Sequence, residues 1–123
     1  MRKKRIVSTL GLALLAGLAL TACGGGGTPS PQAVTVRAQD TFMFDPASLT
    51  AQVGQRVEIN LENIGVLEHN LVIDEFSVSA GPILGGQSAP VSFTPSAAGT
   101  YTYYCNVPGH REAGMEGTLT VTE

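Results

Sequence analysis

Three side chains that bind soft metals lie close together near the C-terminal end of the sequence. Cys105, His110 and Met115 follow one another in the pattern Cys-x4-His-x4-Met. The turn-forming pair Pro108-Gly109 lets the chain fold back, so that His110 faces Cys105. A further ligand must come from elsewhere in the chain, and His69 is the only other histidine. We therefore consider these four residues as one group.

This group is a donor set suited to copper. Thiolate and thioether sulfur are soft ligands that favour Cu(I), whereas imidazole also suits Cu(II), so the mixed set accepts both oxidation states. Two imidazoles and one thiolate in a trigonal set, with a long axial thioether, describe a blue-copper electron-transfer site. The sequence thus predicts one copper ion bound by His69, Cys105, His110 and Met115.

Each of these residues also has an ordinary interpretation on its own. A single histidine usually lies on the surface or in a satisfied core position, Met115 could fill a gap in the core, and Cys105 could be a buried thiol. A structural zinc site fits the residue types less well, because thioether is a poor zinc ligand. A thiol hydrolase could use Cys105 with His110, but it would leave His69 and Met115 unexplained. The joint pattern favours copper.

The N-terminal segment is typical of an export signal. A basic start, Met1 to Arg5, precedes fifteen uncharged residues, Ile6 to Leu20. A transmembrane helix needs roughly 20 apolar residues, so this run is too short to cross a bilayer. With the small residues that follow it, the pattern predicts a signal peptide over residues 1–22. A short membrane anchor that is retained is the alternative.

The end of this signal resembles a bacterial lipobox, Leu20-Thr21-Ala22-Cys23, in which cleavage precedes the cysteine and a lipid is attached to its sulfur. We expect an exported protein anchored to a membrane by lipidated Cys23, facing the periplasm or the cell exterior. Residues 23–32 then form the lipidated start and a Gly/Pro linker. Ordinary cleavage would leave Cys23 as a free thiol. Lipidation makes Cys105 the only thiol, which favours a metal over a disulfide.

The chain that follows this cleavage is acidic. It has three arginines, no lysine and all ten acidic residues, a side-chain net charge of −7. Because phosphate binding needs basic side chains, nucleic acid is not expected as a partner. The charge serves solubility, or it steers a basic redox partner.

Residues 33–123 are predicted to form one domain built of β-strands. Val57, Ile59 and Leu61 alternate with polar residues, which gives one dry and one wet face. The same alternation occurs at Val34/Val36, Leu71/Ile73, Val91/Phe93, Tyr101/Tyr103 and Leu119/Val121. With no sustained helical period, these short runs predict an antiparallel β-sandwich or barrel. The less regular segment 74–90 is predicted to be a loop.

Several segments resemble the cupredoxins, the family of plastocyanin, azurin and auracyanin. Residues 103–110 and 114–121 are similar to the C-terminal copper loop, and residues 42–46, 54–57 and 68–71 to earlier strands of the plastocyanin-like branch. The Cys-to-His arm has azurin's length and the His-to-Met arm has plastocyanin's, a combination found in auracyanin-like proteins. The resemblance implies an all-β fold, a Greek-key β-sandwich with the metal site at one end.

The resemblance also implies roles for individual residues. His69 and His110 would bind copper through imidazole nitrogen, Cys105 through thiolate and Met115 as a weak axial ligand. Asn70 would tie the strand of the first histidine to the cysteine loop. His110 would lie near the surface as the electron port, within an uncharged docking patch that includes residues 107–109.

The implied function is a single-electron carrier in which one type 1 copper cycles between Cu(I) and Cu(II). We expect a monomer that exchanges electrons by outer-sphere transfer with redox proteins at a membrane surface, such as a cytochrome or a membrane oxidoreductase. A copper-binding delivery or storage module is the alternative. An enzyme is not expected, because copper nitrite reductases and multicopper oxidases need further histidines and none remain.

Overall fold

The computed structural model describes residues 26–123. The predicted signal peptide and Cys23 therefore lie outside the described residues. Within the described part of the chain, no helix is long and apolar enough to cross a membrane.

Residues 26–123 fold into nine β-strands and a single short 3-10 helix. The strands are β1 (Gln32–Gln39), β2 (Met43–Asp45), β3 (Ser48–Gln52), β4 (Val57–Asn63), β5 (His69–Ile73), β6 (Val78–Ile83), β7 (Ser88–Phe93), β8 (Gly99–Tyr104) and β9 (Glu116–Thr122). The 3-10 helix, Asp74–Phe76, follows β5 directly. All six runs that alternate in the sequence are strands, so this part of the prediction is confirmed.

The strands form two sheets that pack as a sandwich. One sheet has the order β2-β1-β4-β7 and the other the order β3-β9-β8-β5-β6. Strands that are neighbours in sequence are often distant in the sheets, as in a Greek key, and the all-β sandwich predicted from the sequence is confirmed.

The sequence analysis expected antiparallel strands, and two of the strand pairs depart from that expectation. β1 pairs with β4 in parallel, and β3 pairs with β9 in parallel. Parallel neighbours need long crossover connections. Here β2 and β3 lie between β1 and β4 in the sequence, and β4 to β8 lie between β3 and β9. Alternation along one strand reports which side is buried, and it contains no information about the direction of the neighbouring strand.

The segment 74–90 was also predicted wrongly, because it contains the 3-10 helix, β6 and the start of β7. β6 is antiparallel to β5, but its register shifts between His69 and Leu71. Within β6 the inward residues Ala80 and Ile83 are three apart, with Gly81-Pro82 between them. This interruption hides the period of two that identifies the six predicted strands.

The core lies between the two sheets and is made of the inward residues of both. Val36, Ile59 and Leu61 come from one sheet, and Leu71 and Leu119 from the other; all five are buried. Two of the candidate metal ligands, Cys105 and Met115, belong to the same core cluster. Burial of this apolar surface is the main stabilising contribution to the fold.

Candidate metal centre

Two loops at one end of the sandwich bring the predicted ligands together. His69 is the first residue of β5, directly after the loop that follows β4. Cys105 comes immediately after β8, and Met115 immediately before β9. His110 lies in the loop between them. Because β5, β8 and β9 are in the same sheet, their ends place the four residues at a common edge.

The donor atoms of three of these residues converge. One ligand atom each of His69, Cys105 and His110 lies within 4.8 Å of the others. Cys105 Sγ is 3.5 Å from His110 Nδ1, and the centroids of the two imidazole rings are 4.9 Å apart. His69, Cys105 and Met115 are fully buried, whereas His110 keeps 9% of its surface exposed. The cluster is therefore enclosed except at His110.

Backbone hydrogen bonds close the loop that contains three of the four residues. The Cys105 N–H donates to the Met115 carbonyl at 3.0 Å, and the Met115 N–H donates to the His110 carbonyl at 3.0 Å. The His110 N–H in turn donates to the Val107 carbonyl at 3.0 Å, which completes the turn through Pro108 and Gly109. The loop is thus fixed by its own backbone before any side chain binds an ion.

The side-chain chemistry fits a metal. His69 Nδ1 is buried and has no hydrogen-bond partner among the described residues. An unpaired buried polar atom costs free energy, so such atoms in proteins usually have a partner. A copper ion bound among the Cys105 sulfur and the two imidazoles would be that partner, and this donor set is the one copper prefers.

Asn70 connects the two ligand loops through both its backbone and its side chain. The Asn70 N–H donates to Cys105 Sγ at 3.4 Å. Its side-chain oxygen accepts from the Asn106 N–H at 2.8 Å, and its side-chain amide donates to Asn106 Oδ1. These contacts run between β5 and the cysteine loop, where the sequence resemblance predicts a link.

We expect Asn70→Ala to destabilise the protein by about 1–3 kcal/mol, because it leaves the Asn106 N–H without its partner. Loosening the cysteine loop should also shift the thiolate-to-copper absorption band. Urea unfolding and the absorption spectrum measure the two effects. Asn60→Ala, at a half-buried position on β4, is the matched control. Equal unfolding free energies for the two variants would contradict this role for Asn70.

Two residues at this end of the molecule were missed by the sequence analysis, and both lie in the turn after β1. Phe42 packs its ring edge-on against His110, with centroids 4.9 Å apart, and has a left-handed backbone with φ of 59°. Asp40 lies 3.2 Å from His69 Nε2. Nothing in the spacing of these residues relative to the ligands identifies them, because the turn is 29 residues upstream of His69.

The surroundings of His110 and Asp40 shift the pKa of each side chain. Burial lowers the pKa of His110, and the neighbouring His69 lowers it further. The Val66 N–H, which bonds the carboxylate, lowers the pKa of Asp40, and the Leu67 N–H acts in the same direction. A lowered pKa favours the neutral form of the His110 imidazole, which is the form that binds a metal.

Tyr103 and Tyr104 anchor the strand that leads to Cys105. The Tyr103 hydroxyl donates to the Pro46 carbonyl at 2.7 Å, and burial raises the pKa of Tyr103 above its usual range. Its ring covers Gly117, where an added Cβ would lie 2.2 Å from a ring carbon. On the outer side, the Arg111 guanidinium lies 3.9 Å from the centre of the Tyr104 ring. These contacts hold the strand that leads to Cys105, and one of them comes from Arg111 in the loop between Cys105 and Met115.

Comparisons with known proteins agree with this fold and site. Residues 31–122 match the family model described as copper binding proteins, plastocyanin/azurin family. Auracyanin-A of Chloroflexus aurantiacus is 31% identical, over 89% of this chain and 94% of its own. Plastocyanin A/B of Petroselinum crispum is 34% identical, over 65% of this chain and 88% of its own. The solved structure of auracyanin B superimposes with a TM-score of 0.66 at 29% identity, over 75% of this chain and 89% of its own.

A β-sandwich with one cysteine, two histidines and a methionine at one end defines a cupredoxin with a single copper site. The chain belongs to the plastocyanin/azurin family of copper-binding proteins. Its cofactor is one copper ion, for which His69, Cys105, His110 and Met115 are positioned.

Proposed function

We propose that this protein carries single electrons between redox proteins and does not catalyse a reaction of its own. The observation that carries the proposal is the enclosed cluster of one thiol and two imidazoles, from which only His110 reaches the surface. Copper, when bound, supplies the redox chemistry by cycling between Cu(I) and Cu(II). The chain's own residues determine how little the site moves and where a partner can approach.

Rigidity of the ligand residues favours fast electron exchange, because ligands that stay in place need little rearrangement when the charge changes. The Cys105–Met115 loop is closed by backbone bonds, and Asn70 ties it to β5. Arg111, within this loop, forms an ion pair with Glu116 at the start of β9, with its Nε 3.3 Å from a carboxylate oxygen. Both ends of the loop continue directly into β8 and β9, which are paired with each other. This pairing restricts the movement of the ligand residues.

His110 is the proposed route by which electrons enter and leave. It is the one candidate ligand with exposed surface, while Cys105 and His69 have none. Pro108 and Gly109, next to it in the loop, are exposed and uncharged. A partner seated there would reach the site through one imidazole ring.

Several apolar side chains near this end of the sandwich are exposed and could enlarge the docking face. Ile64, Val66 and Leu67 lie in the loop that leads into His69, with 56%, 82% and 42% of their surface exposed. Leu84, 57% exposed, lies in the neighbouring loop, where Gly85 packs against Gly65 and Val66. Exposed apolar groups that cluster in this way commonly mark interaction surfaces. We propose that the redox partner contacts this face.

The absence of catalysis is also part of the proposal. A substrate that reacts at a metal needs an open coordination position on that metal. Four candidate ligands are already positioned for the copper ion of this site. Both histidines of the chain belong to the cluster, so no imidazole remains to build a second copper centre.

Electron exchange and copper retention together separate a carrier from a delivery module. The copper-loaded protein is mixed with a small inorganic reductant and then with an oxidant, and separately with excess of a strong Cu(I) chelator. A carrier completes many redox cycles and keeps its copper for much longer than one cycle. Loss of copper to the chelator before one cycle is complete would overturn the proposal in favour of delivery or storage.

We further propose that lipidated Cys23 holds the domain at a membrane after export, on the evidence of the sequence motif. In cells of a bacterial host, Cys23→Ser should move the protein from the membrane fraction to the soluble exported fraction. Mass spectrometry of the unmodified chain should find a lipid on Cys23. An unlipidated Cys23 in the membrane-associated protein would contradict the proposal. Copper binding should be the same in both proteins, because residues 33–123 contain all four candidate ligands.

A further inference from the structure

Asp40 lies in the turn between β1 and β2 and bonds three groups of the loop that ends in His69. Its Oδ2 accepts from the Val66 N–H at 2.8 Å. Its Oδ1 accepts from the Leu67 N–H at 3.1 Å and lies 3.2 Å from His69 Nε2. One carboxylate thus holds the last turn before β5 and the first ligand of that strand together.

The space around the carboxylate is closed on the side of Gly65. A Cβ at Gly65 would lie 2.0 Å from Asp40 Oδ1 and 2.4 Å from its Cγ, so a larger residue there would displace the carboxylate. Asn63 fixes the other side of the same loop by accepting from the Gly65 N–H at 3.0 Å and donating to the Leu67 carbonyl at 2.6 Å. The position of Asp40 relative to His69 is therefore defined by packing and by hydrogen bonds together.

The two nitrogens of His69 have complementary surroundings. Nε2 faces the Asp40 carboxylate, whereas Nδ1 is buried and has no partner among residues 26–123. A neutral imidazole carries its proton on one nitrogen and a lone pair on the other, and an ionised carboxylate only accepts. Because Nε2–H then donates to Asp40, the lone pair is on Nδ1. Nδ1 is then the nitrogen left to bind a metal, and one ligand atom of His69 lies within 4.8 Å of those of Cys105 and His110.

From this geometry we propose that Asp40 is a positioning residue for the copper site. It fixes the ring orientation and the Nε2–H tautomer of His69, and its negative charge favours Cu(II) over Cu(I). Only the effect of the charge on copper rests on the proposed function, because the tautomer of His69 is a property of the metal-free chain. Carboxylates that accept from metal-bound histidines act in this way in other metal sites.

The tautomer can be measured without copper. In ¹⁵N-histidine-labelled, metal-free protein at about pH 8, above the usual histidine pKa, two-bond ¹⁵N–¹H spectra distinguish the tautomers. With two histidines in the chain, the spectrum contains only two rings to assign. We expect His69 as the Nε2–H form in the wild type and a mixture of tautomers in Asp40→Asn. His69 found as the Nδ1–H form in the wild type would overturn the proposal, whether or not the variant folds.

The copper-loaded proteins test the charge. In Asp40→Asn, Cu(II) affinity should fall about tenfold more than Cu(I) affinity, which raises the reduction potential by about 59 mV for a one-electron couple. Asp45→Asn removes the same charge at an exposed position on β2, near Arg37, and should leave the potential unchanged. A role confined to bracing the loop would lower the unfolding free energy and both affinities equally, with no change in potential.

The experiments on Asp40 and the test of electron carriage can fail independently of each other. A wild-type protein that binds copper without cycling between oxidation states would refute electron carriage but leave the His69 tautomer as the readout for Asp40. An unchanged tautomer and an unchanged potential in Asp40→Asn, in a protein that does cycle, would refute the role of Asp40 alone.

Discussion

Cys105→Ser is expected to abolish the intense absorption of the copper-loaded protein. The colour of a blue-copper site depends on the bond between the cysteine thiolate and Cu(II), and a serine oxygen cannot replace that bond. Cys105 Sγ is fully buried beside His110 and accepts from the Asn70 N–H. A serine hydroxyl can also accept a hydrogen bond from the Asn70 N–H, so the fold should survive the change. Visible absorption at equal copper content measures the effect.

Cys23→Ser is the matched control for this variant, because it makes the same change at the other cysteine of the chain. It should keep the full absorption per bound copper. If Cys105→Ser retained the colour, or if Cys23→Ser lost it, the assignment of the thiolate ligand would be wrong.

His110→Ala is expected to have the largest effect on electron exchange with a protein partner. It removes a candidate ligand and, at the same time, the only exposed ring of the cluster. Loss of a residue that merely supports a ligand costs roughly 10–100-fold in metal affinity, so loss of the ligand itself should cost more. The rate of electron exchange is measured by stopped flow and divided by the amount of bound copper. This ratio separates the loss of copper from the loss of electron transfer through the His110 ring.

His69→Ala is the comparison that gives this measurement its meaning. It also removes one imidazole from the cluster, but His69 is fully buried and contributes nothing to the docking face. The exchange rate per bound copper should therefore fall further in His110→Ala than in His69→Ala. Equal rates per bound copper in the two variants would contradict the assignment of His110 as the electron port.

The ligands could be predicted from the sequence because three of them are close together along the chain. Cys105, His110 and Met115 lie within one loop, and the loop is bounded by strands with clear alternation, β8 and β9. His69 followed from the small number of histidines. Local spacing and the chemistry of the donor atoms were sufficient for this part of the site.

The period of two did not identify β2, β3 or β6 in the sequence, although Leu49 and Ala51 of β3 are buried in alternation with exposed polar residues. β2 has only three residues, and β6 is interrupted at Gly81-Pro82 and shifts its register against β5. The parallel pairing of β1 with β4 and of β3 with β9 was missed for a different reason. Pairing direction depends on the route of the whole chain, and the residues of one strand do not specify it.

The residues that support the ligands could not be predicted because they act across long distances in sequence. β1 and β4 are paired in parallel, so the turn after β1 lies beside the loop after β4. This arrangement brings Asp40 to His69. Phe42 reaches His110 from the same turn. An aspartate and a phenylalanine in a turn are ordinary residues there, and only the folded structure brings them to the imidazole rings.

A combined metal and redox titration of the copper-loaded protein tests the central claim most directly. Copper is counted per chain, and the visible absorption is followed while electrons are added and removed coulometrically. We predict one copper per chain, an intense blue colour that one electron per copper removes completely, and full return of the colour on oxidation. A colourless protein that contains one copper per chain would contradict a thiolate-bound copper that carries electrons.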